Sequence, residues 1–132
     1  MSDTATTTAY ETIGGASAVR AFVDRFYDLM EGEPAYAPLR ALHAPDLGPM
    51  RESLAGFLTA WLGGPRDWFA QHPGVCMMSA HARIPLNAAT ARQWTEAMAR
   101  ALADSGVEPA LQARINDAFT RMAEAMAGSR SA

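Results

Sequence analysis

Three observations predict an all-α fold for this chain. Apolar residues recur at spacings of three and four along several long stretches. Glycine and proline stand at the ends of those stretches, where helices stop or start. No stretch keeps the strict apolar–polar alternation of a half-buried strand. At 132 residues, 49% hydrophobic and 19% charged, the chain has the length and composition of one globular domain able to bury its own core.

The polar opening "MSDTATTTAY" reads as a tail over residues 1–9. A short helix around Tyr10 to Ile13 then meets Gly14-Gly15, a pair that permits a sharp turn. In "SAVRAFVDRFYDLM", Val19, Phe22, Val23, Phe26, Tyr27 and Met30 share a helical face, with Ser17 as its cap. Pro34 and Pro38 punctuate an irregular or short-helical stretch that ends at "ALHAPDL". Asp46 begins the next helix, which tolerates Pro49 in its first turn. Its face is Leu47, Met50, Leu54, Phe57, Leu58 and Trp61, and Gly63-Gly64-Pro65 ends it. Asn87 caps a long helix bearing Ala91, Trp94, Met98, Ala101 and Leu102, closed by Gly106. Pro109 opens the last helix, with Leu111, Ile115, Phe119, Met122 and Met126 in register. Between the two central long helices lie the 22 residues from Arg66 to Asn87, broken at His72-Pro73-Gly74 and at Pro85. Only a brief helix around Cys76 to Ala82 fits there. Bundles join long helices by short links, so a link of this length, anchored by Trp68 and Phe69, points to function.

Bulk properties narrow the class of function. A formal net charge of −3 disfavours nucleic acid and anionic membrane surfaces, which attract basic faces. The single cysteine, Cys76, rules out an internal disulfide and any Cys-x-x-Cys motif, and reads as a packed thiol. The N-terminus lacks the basic and apolar regions of a signal peptide, and no apolar run approaches membrane-spanning length. A cytoplasmic protein is expected.

The chemistry-bearing residues are few. The three histidines, His43, His72 and His81, form no i, i+4 pair, and no carboxylate–histidine cluster suggests zinc or di-iron. No nucleophile elbow or phosphate-cradling loop is present. A site needing one protein ligand remains, and haem is such a site, because the porphyrin supplies four equatorial nitrogens. Tyr27 and Trp94, each on the apolar face of its helix, are candidate hydrogen-bond donors above an iron. Met50, Leu54 and Phe57 form a stripe that could lie over a flat ring. Each has an ordinary alternative: a lone histidine is usually just hydrogen-bonded, and an aromatic or aliphatic stripe is usually core. Periodicity alone does not decide between them.

In order, "YETIGGASAVRAFVDRFYDLM", "ALHAPDL", "FLTAWLGGP", "HP…AH" and "QWTEAM" resemble the truncated haemoglobins of the second group. The resemblance spans residues 10–127, read as the single domain, with residues 128–132 as a C-terminal tail. It implies a two-over-two helical sandwich around haem b, with the proximal helix reduced to a loop and a turn. It implies His81 as the proximal iron ligand, Tyr27 and Trp94 as distal ligand-binding residues, and His43 at the pocket edge. Met50 matches the distal gate, Leu54 faces the ligand beside it, and Phe57 lies against the ring. Met77 and Met78 would line the proximal side. The chain departs from many relatives in having Ala80, not arginine, before His81, and "RIPL" after it; Arg83 is then the candidate partner for a haem propionate.

Three functions of different class follow. One is a globin binding oxygen, carbon monoxide or nitric oxide for storage, delivery (oxygen transport) or sensing. Another is a redox enzyme on the same scaffold, a nitric oxide dioxygenase or peroxidase served by an unidentified reductase. The last is a haem-free helical interaction module. Either a monomer or a homodimer is compatible with the sequence.

Overall fold

Thr8 starts the first helix by a reciprocal cap: its hydroxyl oxygen accepts from the Glu11 amide at 3.1 Å, while the Glu11 carboxylate accepts from the Thr8 amide at 3.2 Å. The structure, a computed structural model, describes residues 8–67, 70 and 87–131, with side chains to residue 125. Helix α1 spans Ala9–Ile13 and ends at Gly14, whose φ of 116° is left-handed. Helix α2, Gly15–Gly32, therefore begins before the expected cap at Ser17, because the turn is made by backbone conformation and not by a side-chain cap. A 3-10 turn (Pro34–Tyr36) and the one-turn helix α3 (Ala37–Arg40) follow.

Helix α4 spans Gly48–Trp61. The helix begins two residues after Asp46, with Leu47 at its N-cap and no side-chain cap; the Asp46 carboxylate accepts from the Gly48 amide at 2.9 Å, and Pro49 sits in the first turn. Helix α5, Ala88–Asp104, opens on Asn87, whose side chain accepts from the Thr90 amide, and closes before Gly106 at φ 76°. Helix α6, Pro109–Ser131, continues through the segment read from sequence as a tail.

Among the described residues there is no strand, and two helical layers form the fold. Helix α2 packs on α4, α5 packs along α6, and α2 lies across α5 to join the pairs. Phe22, Phe26, Met30, Leu58, Met98, Leu102 and Phe119 fill the space between them. Each such side chain stabilises the fold by about 1.5–3 kcal/mol through burial alone. Small α1 closes one end. Its Tyr10 amide donates to the Leu62 carbonyl at 2.9 Å, and the Tyr10 ring rests so close to Gly64 that a Cβ there would lie 2.7 Å from it. Any side chain at Gly64 would push α1 off the end of α4. Among the described residues no helix is long and apolar enough to cross a membrane.

Candidate functional site

Helix α2 brings Tyr27 to the centre of the molecule, where it is only 2% exposed. Phe26, its neighbour in sequence, meets it edge-on at 4.8 Å between ring centroids and also meets Trp94 of α5 at 6.2 Å. Trp94 is held from the other side by Phe119 of α6 at 5.4 Å. The two distal donors read from sequence are thus brought into one aromatic cluster with Phe26 between them. Among the described residues the Tyr27 hydroxyl has no hydrogen-bond partner. Desolvation pushes its pKa up to about 12, against a smaller opposing pull from the Arg51 charge.

His43 closes the cluster at the end of α3. Its ring stands edge-on to Tyr27 at 6.0 Å, and its Nδ1 lies 3.0 Å from the Leu39 carbonyl oxygen. A carbonyl only accepts, so Nδ1 carries the proton, and Nε2 of the neutral ring is an acceptor. His43 gains a second donor only as imidazolium. The Leu39 amide donates to the Gln93 side-chain oxygen at 3.1 Å, one residue before Trp94. A parallel tie runs from the buried Tyr36, whose hydroxyl donates to Glu96 at 2.7 Å and accepts from Arg100 at 3.3 Å. The turn bearing His43 and the helix bearing Trp94 are therefore fastened together by side chains on either side of the tryptophan.

Helix α4 supplies the apolar wall. Leu54, Phe57 and Trp61 are half-buried and pack against the core, as the helical spacing predicts. Met50 differs. Placed by periodicity on the apolar face, it is 38% exposed, at the first turn of α4 and so at the rim of this layer.

Arg51, beside it, is the side chain that local sequence reading misses. Its Nη1 donates to the Asp24 carbonyl oxygen (3.1 Å) and carboxylate (3.0 Å), and its Nη2 donates to Asp28 at 2.9 Å. The available signal was the spacing of Asp24, Asp28 and Glu31, which lines one face of α2 with carboxylates. Burial alone would raise the Asp24 carboxyl, but hydrogen bonds from Arg51 and Arg20 outweigh it and hold it below its ordinary 3.8. A carboxyl depressed by folding contributes stability above its unfolded pKa, and that contribution is lost as pH falls through the folded value. The unfolding midpoint of the parent chain is accordingly expected to fall more steeply below pH 3.8 than that of Asp24→Asn. Parallel melting curves for the two would remove Asp24 from the α2–α4 clamp.

The profile of the bacterial-like globins matches residues 8–128. The chain belongs to that family. Within it, this globin is similar to a group II 2-on-2 hemoglobin from Agrobacterium tumefaciens, at 32% identity and a TM-score of 0.88 over 91% of this chain and 93% of the other. It is also similar to a cold-adapted truncated hemoglobin from Pseudoalteromonas haloplanktis, at 29% identity and a TM-score of 0.87 over 91% and 97% of the two chains. A truncated oxygen-avid haemoglobin from Bacillus subtilis matches at 25% identity and a TM-score of 0.81, over 91% and 98%. A search of the curated proteins finds no match. The globin is thus a group II truncated haemoglobin with the two-over-two helical fold, and its cofactor is haem b.

The described residues fit that cofactor. A flat, largely apolar ring needs apolar walls, which Leu54 and Phe57 offer from α4 and Trp94 from α5. The Tyr27 hydroxyl, which makes no hydrogen bond among the described residues, is compatible with a polar ligand above the ring. His81, Met78 and Arg83, read from sequence as iron ligand, proximal wall and propionate partner, lie outside the described residues, as do Trp68, Phe69, His72, Cys76 and Met77.

Proposed function

We propose that this globin binds a small diatomic gas, oxygen foremost, at a haem iron held by His81, with Tyr27 and Trp94 as distal hydrogen-bond donors. The observation that carries the reading is a tyrosine only 2% exposed, joined to Trp94 through Phe26 in one aromatic cluster, whose hydroxyl makes no hydrogen bond among the described residues. Haem supplies the coordination position at which the gas binds.

The chain's own residues do the rest. With its pKa near 12, Tyr27 keeps its proton at every physiological pH and is a permanent donor. The Trp94 indole nitrogen is a donor only, so toward a partially negative ligand atom it can act only as a hydrogen-bond donor. Both sit within a packed aromatic cluster, where preorganised donors act more strongly than in water. His43, its Nδ1 proton directed at Leu39, joins them as a third donor only when protonated. Met50, exposed at the rim, is assigned here to the gate, with Leu54 assigned beside the ligand and Phe57 against the ring. Met78 and Arg83 are assigned to the proximal wall and a propionate. The likeness to an oxygen-avid haemoglobin supports oxygen as the ligand.

The test is reversible oxygenation of the purified haem-loaded chain, followed by absorption in the ferric, ferrous and carbonmonoxy forms. Spectral change on oxygen addition that reverses under argon is expected. Irreversible oxidation on first contact with oxygen would overturn the reading. Turnover of nitric oxide or peroxide with a reductant would move the assignment to the enzymatic alternative.

A further inference from the structure

Tyr27 has no hydrogen bond among the described residues to fix the direction of its hydroxyl, so its ring must be held by what packs on it. Phe26 and His43 meet it edge-on. A further neighbour is a cation: the Arg51 guanidinium carbon lies 5.6 Å from the Tyr27 ring centroid. Arg51 is an unusual wall. Its side chain is only 18% exposed, and three carboxylates of α2 meet it, Asp24 and Asp28 by hydrogen bonds and Glu31 by an ion pair at 3.7 Å. The same carboxylates extend the network in two directions. Asp24 also accepts from Arg20 at 3.1 Å, and Glu31 pairs with Arg40 at 3.5 Å. Arg40 in turn donates to the Ala44 and Pro45 carbonyls at 3.0 and 2.9 Å, in the turn just after His43.

We propose that Arg51 is a positioning residue of the distal site: anchored to α2 by Asp24 and Asp28, its guanidinium sets the Tyr27 ring and so the direction in which that hydroxyl donates to the ligand. The inference rests on the reading of Tyr27 as donor. Arginine suits the role because one planar fork can address two carboxylates and still lie against an aromatic face. Lysine, a point charge with tetrahedral donors, can satisfy a carboxylate but not hold that plane.

The test is a cycle of variants of the haem-loaded chain: Arg51→Lys and Arg51→Met, each made with Tyr27 present and with Tyr27→Phe. Two properties are read, the oxygen dissociation rate and the C–O stretching band of the carbonmonoxy form, which reports the field of the distal donors. With Tyr27 present, both Arg51 variants are expected to shift or broaden the band and to speed dissociation roughly tenfold, below the hundredfold that an ångström of misplacement can cost. With Tyr27→Phe the same substitutions should change neither, because no hydroxyl is left to misdirect. A merely structural clamp would lower the melting temperature equally in both backgrounds and leave the band in place, which would overturn the proposal. If Tyr27→Phe alone changes neither rate nor band, the donor role of Tyr27 falls and the proposal falls with it. If Tyr27→Phe acts but Arg51 does not couple to it, only the proposal falls.

Discussion

Tyr27→Phe is expected to release oxygen roughly 10- to 100-fold faster than the parent chain, which corresponds to the ~1.5–3 kcal/mol of a hydrogen bond to a charged group. The same variant is expected to melt at or above the parent's temperature. The two halves of this expectation have one cause. Among the described residues the hydroxyl makes no hydrogen bond, so its removal breaks none among them, and the phenyl ring retains the edge contacts to Phe26 and His43. What is lost is the interaction with a ligand that draws electron density outward from the iron. In the proposed site Trp94 remains as a second donor, so the change is expected to be bounded, with oxygen binding retained. Stopped-flow displacement of oxygen by carbon monoxide measures the first half, and thermal unfolding the second. Unchanged dissociation would take the donor role from Tyr27. A lower melting temperature would show that the hydroxyl serves the fold and not the ligand.

Features set by near neighbours along the chain are readable in the sequence, and those set by packing between helices are not. Helix α5 was legible at both ends, because Asn87 and Gly106 act through their own backbone and near neighbours. The start of α2 was misplaced, since Ser17 looks like a cap while the turn is made by the conformation of Gly14. Met50 was set on the correct face but at the wrong depth: periodicity gives direction around a helix, not how far the opposing layer extends along it. The partners of Arg51 are hard to read for a related reason, although the carboxylate face of α2 is visible in the sequence. The two carboxylates that bond it lie 27 and 23 residues earlier, and each reads locally as ordinary helix surface until α2 and α4 are packed together. Tyr27 and Trp94 stood out as polar tips on apolar faces, yet only the packed structure shows that Phe26 joins them. The protonated nitrogen of His43 could not be read from sequence at all, because it is set by a backbone carbonyl.

The proximal side rests on the sequence, and one substitution tests it. In His81→Gly the proposed fifth ligand is deleted and a space the size of an imidazole is left in its place. Loss of a partner that merely orients a metal ligand costs about 10- to 100-fold in affinity, so loss of the ligand itself is expected to weaken haem retention by more than ~100-fold. Free imidazole should then restore the spectrum of the parent chain, because it supplies the same nitrogen without the tether. His72→Gly is the necessary companion: followed by Pro73 and Gly74, it is the other histidine between Gly64 and the start of α5. If it ligated the iron, His72→Gly would show the loss and the rescue while His81→Gly would show neither. Haem transfer to apomyoglobin measures retention directly and does not depend on oxygen binding, so this result stands apart from the fate of Tyr27. An imidazole-ligated spectrum in His81→Gly with no imidazole in the buffer would overturn the proximal assignment and leave the distal cluster without a known iron beneath it.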